Sequence, residues 1–175
     1  MENTNWIIDP AHSTVRFEIK HLMIATLTGT FDEKAGNVEA ADNFENAKFY
    51  FEANINSINT NDEKRDAHLK GADFFDAEKF PKLSFTSTKF TKTGKSEFEL
   101  IGNLTIKGIA KAIILAVEYG GTATDPWGNI KAGFELKGKI NRKDFGLVWN
   151  AKTEADGTML SEEVTVIANI ELLKK

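Results

Sequence analysis

The chain has 175 residues, 41% hydrophobic and 27% charged, which describes one ordinary globular domain spanning 1–175. Its net charge of −4 excludes the basic footprint of a nucleic-acid binder, and its lack of cysteine excludes a disulfide framework, a thiolate nucleophile and a Cys-ligated metal. No stretch approaches the ~20 apolar residues of a membrane helix, and MENTNWIID has neither a basic leader nor an apolar run, so a cytoplasmic location is expected.

In chain order, Trp6–Ile8 opens a strand that Asp9-Pro10 bends or breaks, because proline cannot donate to a sheet ladder. Val15, Phe17 and Ile19 then alternate with Thr14, Arg16, Glu18 and Lys20, the clearest period of two in the chain. Leu22–Ile24 turns the chain into the threonine-rich strand Ala25–Phe31, and Asp32–Gly36 turns it again into Asn37–Ala41. Phe49, Phe51, Ala53 and Ile55 alternate with Tyr50, Glu52 and Asn54 in a long strand.

Asn61–Phe80 is the one segment that reads as helical. Thr60 or Asn61 can cap it, Asp62 and Glu63 suit its first turn, Gly71 stops it, and Pro81 ends the insert. Phe74, Phe75 and Phe80 give the insert an apolar side that one mouth of a barrel would bury. Strands resume with Leu83–Phe90, turn at Lys92–Lys95, and continue through Phe98, Leu100, Gly102, Leu104 and Ile106 to a tight turn at Lys107-Gly108. Ile113, Leu115, Val117 and Tyr119 follow with Ile114 and Ala116 between them, a pattern that allows burial on both faces. Gly120–Asn129 reads as a loop anchored by Trp127. Ala132, Phe134, Leu136, Gly138 and Ile140 alternate, Asn141–Ser161 reads as a long irregular connection, and Val164–Leu172 is the last strand.

Eight or nine short-looped antiparallel strands resolve as a sandwich or a barrel. An eight-stranded barrel either fills with side chains or holds one small ligand. The 13 Phe, against 3 Trp and 2 Tyr, suit a packed core and a lipid-lined cavity equally.

Chemistry-bearing constellations are thin. His12 and His21 are nine apart and face opposite sides of one regular strand, and His68 lies on the helical insert. There is no His-x-His or His-Glu-x-x-His spacing, no nucleophile elbow and no phosphate loop, so no metal, cofactor or catalytic residue is expected. Arg142, in Asn141-Arg-Lys-Asp-Phe-Gly146, could pair with Asp144, with Asp9 or with an anionic ligand.

Five segments in order carry a resemblance: Trp6-x-x-Asp9-Pro10-x-His12-Ser13 with Phe17 and His21 behind it; Gly29-x-Phe31; Arg65-Asp66-x-His68-Leu69 running through Asp73-Phe74-Phe75-Asp76 to Phe80-Pro81-x-Leu83-x-Phe85; Gly102-x-Leu104-Thr105-Ile106-Lys107-Gly108; and Asn141-Arg142-x-Asp144-Phe145-Gly146. From about Trp6 to Leu172 the chain resembles the YceI-like family of bacterial polyisoprenoid-binding proteins. The resemblance implies an all-β fold: an eight-stranded antiparallel, lipocalin-like β-barrel with the helical insert covering one end. It implies an elongated isoprenoid or related amphiphilic lipid in the pore, held without covalent chemistry, and a homodimer.

The residues expected to line that pore are Phe17, Ile19, Phe49, Phe51, Phe85, Phe98, Leu100, Leu115, Phe134 and Leu136, with Arg142 and His12 as the candidate head-group contacts. The rival readings are a barrel enzyme that uses His12 or His21 as a general base on a lipid, and a stress-response structural protein with a filled core.

Overall fold

A computed structural model describes residues 2–151 and 158–175. Its strands are β1 (Thr4–Ile8), β2 (Thr14–His21), β3 (Ala25–Phe31), β4 (Lys34–Ala40), β5 (Lys48–Asn54), β6 (Ile58–Asn59), β7 (Lys82–Lys92), β8 (Glu97–Ile106), β9 (Ile109–Thr124), β10 (Ile130–Asn141) and β11 (Leu160–Lys174). The helix α1 covers Glu63–Lys70. Among the described residues no helix is long and apolar enough to cross a membrane.

All strand pairs are antiparallel, and the order β1-β4-β5-β7-β8-β9-β10-β11 closes on itself because β11 pairs with β1 as well as with β10. The result is an eight-stranded barrel. Two of its staves are kinked. β1 and β2 run along the same neighbour, with Ile8 opposite Leu172 and Thr14 opposite Asn169. β3 and β4 likewise both run along that first stave, pairing with β2 and β1 respectively, and β6 adds a two-residue stub on β3.

The first kink explains the Asp-Pro-x-His-Ser segment. Pro10–His12 is a single 3₁₀ turn capped by Asp9, whose Oδ1 accepts from the Ala11 N–H at 3.1 Å. Asp9 Oδ2 lies 2.8 Å from His12 Nδ1 and 3.0 Å from Lys131 Nζ, and Lys131 reaches Glu171 Oε1 at 2.9 Å. Buried Ser13 Oγ accepts from the Glu171 N–H at 3.0 Å, so the turn is stitched to β10 and β11. The hydrogen bond with His12 and the Lys131 ammonium hold the Asp9 carboxyl at about 2, below its ordinary 3.8. A depressed folded-state value stabilises the fold fully above the unfolded value, and that contribution disappears as pH falls from about 4 to 2. Asp9→Asn is therefore expected to melt below the wild type at pH 7, with the gap narrowing between pH 4 and pH 2; a constant gap in a pH series of thermal melts would refute this.

Alternation places one row of each strand inward. In β8, Phe98, Leu100, Gly102, Leu104 and Ile106 are all buried. In β9 the expected two-sided burial is wrong: Ile114 is 59% exposed, while Leu115 and Val117 are buried. The strand also runs through Gly120-Gly121 to Thr124, with a register shift between Gly133 and Phe134 on β10, where the sequence suggests a loop from Gly120. Two glycines make room for inward aromatic rings. A Cβ on Gly29 would lie 2.3 Å from the Phe17 ring, and one on Gly102 would lie 2.4 Å from the Phe85 ring. Each ring thus occupies the space that a side chain on the neighbouring strand would take.

The two ends differ. At one, the 41–47 loop carries Phe44, fully buried with φ of 59°, into an aromatic floor. Phe44 meets Trp6 at 4.9 Å, Phe134 at 5.0 Å and Tyr119 at 5.5 Å between ring centroids. Phe90 stacks on Phe98 at 4.5 Å and meets Phe49 at 4.8 Å. The β9–β10 hairpin turns at this end, where Trp127 is 83% exposed rather than packed. Asp125 anchors that turn instead, accepting from the N–H groups of Trp127 and Asn129.

At the other end sits the insert between β6 and β7. Asp62 caps α1, accepting from the Lys64 and Arg65 N–H groups, rather than Thr60 or Asn61. The helix stops at Lys70 with Gly71 as its C-cap, and none of its residues is buried. The insert covers the barrel instead through the turns that follow: Phe74 is 5% exposed, and Phe75 packs edge-on against Phe31 at 6.0 Å.

Candidate functional site: an apolar cavity closed at one end

Between floor and insert lies a cavity of about 360 Å³, within the range of small-molecule sites. Phe17, Ile19, Phe49, Phe51, Phe85, Leu100, Leu115, Phe134 and Leu136 all line it. Phe98 does not. It faces inward, as its position in the alternation requires, but too near the floor, where it stacks on Phe90. His12 is also outside the lining, with a side chain 61% exposed beside Asp9 on the kinked stave. Asp9, His12 and Glu171 bring ligand-type atoms within 4.8 Å of one another, yet the Lys131 ammonium already supplies the positive charge between the two carboxylates.

Several inward residues, among them Val15, Phe17, Phe49 and Phe51, are only partly buried although they point away from solvent. A filled core would bury them fully, so their residual exposure is to the cavity itself.

Polar groups reach the lining mainly at the insert end. Arg65 donates through Nε to Thr60 Oγ1 at 2.8 Å and through NH2 to the Thr60 carbonyl at 2.7 Å. His68 is held between Phe74 and Trp149, at 5.1 and 4.7 Å between ring centroids, with Nε2 2.8 Å from Asp73 Oδ2. His21 lies at the end of β2, opposite Leu160. Sequence reasoning did not assign Thr60, Arg65, His68 or His21 to the lining. Trp149 and Leu147 line it too, from the connection that shows no periodicity.

Arg142 is the most unusual of these groups. Asn141 caps a 3₁₀ turn over Arg142–Phe145, Phe145 is 1% exposed beneath it, and Gly146 closes it with φ of 76°. The turn buries Arg142 to 3% exposure. It pairs with neither Asp144, which is exposed, nor Asp9, which Lys131 and His12 hold. Its donors go to backbone carbonyls: Nε to Ser161 at 2.8 Å, NH1 to Leu147 at 2.6 Å and to Trp149 at 2.9 Å. The NH2 group is buried and has no partner among the described residues. Burial lowers the guanidinium's pKa, with Glu162 acting in the opposite direction, but arginine stays protonated in proteins. A cation therefore sits in the cavity wall with one donor group unsatisfied by the described residues.

The model of the YceI-like domain matches residues 6–172. The chain belongs to the YceI-like family. Protein YceI of Salmonella newport strain SL254 is 38% identical over 161 residues, covering 91% of this chain and 81% of that protein. Among solved structures, BcnA of Burkholderia cenocepacia superposes with a TM-score of 0.81 at 21% identity, covering 94% of this chain and 98% of that one. A polyisoprenoid binding domain from Saccharophagus degradans superposes with a TM-score of 0.71 at 14% identity, covering 97% and 98%. At these identities the two structures share the YceI-like barrel, and they carry the comparison no further than the fold.

Proposed function

We propose that this protein binds a long apolar lipid, a polyisoprenoid foremost, inside the barrel, and carries or sequesters it without covalent chemistry. The observation that carries this reading is the hollow interior: an apolar cavity, closed below by Phe44, whose inward wall is incompletely buried. Family membership and the fold shared with a polyisoprenoid binding domain support it. Each CH₂ moved from water into such a wall contributes about 0.8 kcal/mol, offset in part by the ordering of the chain. Affinity then needs no strong polar anchor. Arg142, with its spare NH2 group, is assigned to the head of the ligand, where a phosphate or another oxygen acceptor would satisfy it. The two histidines of the enzyme reading give it little support: His12 lies outside the cavity, and His21 reaches the lining without a carboxylate partner among the described residues.

The test is extraction of the purified protein with organic solvent and mass spectrometry of the extract. A prenyl chain or similar lipid at close to one per protein is expected. An empty extract, together with no uptake of added polyprenol, would sink the reading.

A further inference from the structure

The β2–β3 hairpin ends in an exposed apolar tip. Leu22, Met23 and Ile24 form it, exposed by 40%, 65% and 83%. Leu22 and Met23 have φ of 53° and 59°. That is the left-handed region, which disfavours such side chains and which hairpins of this kind normally fill with Asn-Gly. Neither turn chemistry nor burial accounts for three large apolar residues here. The tip is nevertheless ordered: the Leu22 N–H donates to the Met159 carbonyl at 2.7 Å, and the Ile24 N–H to the His21 carbonyl at 3.1 Å.

Its position supplies the missing reason. His21, Met159 and Leu160 belong to the cavity lining, so the tip continues the cavity's apolar surface outward at the end opposite the floor. Val148, 59% exposed, lies between Leu147 and Trp149, which both line the cavity, and adds a second apolar point at that end. A narrow projecting tip is far too small to supply the roughly 1,200 Å² that a stable protein interface buries. It suits a soft apolar phase, into which a convex point can sink.

We propose that this end docks on a lipid bilayer, with Leu22, Met23 and Ile24 inserted among the lipids so that cargo passes between membrane and cavity without crossing water. The docking stands on the tip alone; the passage of cargo rests on the lipid-binding reading above. The net charge is −4, so apolar insertion rather than attraction to anionic lipid drives the contact. Binding should then be similar on zwitterionic and anionic vesicles and depend little on salt.

The experiment floats the full chain with vesicles of phosphatidylcholine, alone and mixed with phosphatidylglycerol. It compares the wild type with a Met23→Asp, Ile24→Asp double variant and with Trp127→Asp at the floor end. Both sets of substitutions fall on exposed side chains, and unchanged melting temperatures confirm that the fold is intact. The wild type and Trp127→Asp are expected to float, and the double variant to bind about tenfold more weakly or worse. In parallel, uptake of a fluorescent polyprenol is timed from vesicles and from a dilute ethanol dispersion. The double variant should be slower from vesicles only. Failure of the wild type to float overturns the docking, as does loss of flotation in Trp127→Asp instead, or a wild type that stays off vesicles while the double variant dissolves a dimer. If no variant takes up polyprenol from either source, the cargo reading fails, and flotation still decides the docking.

Discussion

Ala168→Trp is expected to empty the barrel of lipid without unfolding it. Ala168 lies on β11 between Leu136 of β10 and Val15 of β2, and all three line the cavity. A tryptophan there projects into free space in the middle of the tube and occupies the path of any elongated guest. If the interior were packed solid, the same substitution would overfill it, at a cost of about 1–3 kcal/mol. In a chain of this length each kcal/mol lowers the melting temperature by about 2–4 °C. The expected result is loss of most co-purified lipid with a melting temperature equal to or above that of the lipid-free wild type. A clear drop in melting temperature would mean that the interior has no room to give.

Arg142→Ala is expected to separate lipids by their heads. Relative to the wild type, a prenyl phosphate should bind more weakly by about 1.5–3 kcal/mol, the scale of a hydrogen bond to a charged group. A headless chain of equal length should bind nearly unchanged. The variant also frees the carbonyls of Leu147, Trp149 and Ser161, so a lower melting temperature is expected with either lipid. The difference between the two affinities carries the result. Equal losses would leave Arg142 as a brace for the segment after β10 and nothing more.

The strand faces were legible because a half-buried sheet imposes a period of two on its sequence. That period placed Phe17, Ile19, Phe49, Phe51, Leu100, Phe134 and Leu136 inward, and the cavity lies where they point. It could not place them along the barrel axis, which is why Phe98 joined the lining in the sequence reading and the floor in the structure. The floor itself was not legible at all. Phe44 comes from a loop, without alternation to mark it, and its burial depends on neighbours as distant in sequence as Tyr119 and Phe134. Arg142 was recognisable as unusual, but its partners were not. A guanidinium invites a search for carboxylates, and here it found backbone carbonyls, which every residue possesses. The break of the insert at Gly71 was legible from the glycine, and so was the apolar side that Phe74 and Phe75 give the turns after it; that the helix before it buries none of its residues was not.

The aromatic floor also makes the barrel a gauge. With Phe44 and Trp6 packed across one end, a chain bound as proposed would enter from the other end only, and a guest that entered tail-first would leave head-first. On the proposed lipid-binding reading, cargo would then be collected and delivered at the same end, past the insert, rather than threaded through the barrel. On the same reading, depth would sort guests by length: a short tail would draw its head below the rim, a matching tail would set it level with Arg142, and a longer one would leave it outside in the solvent.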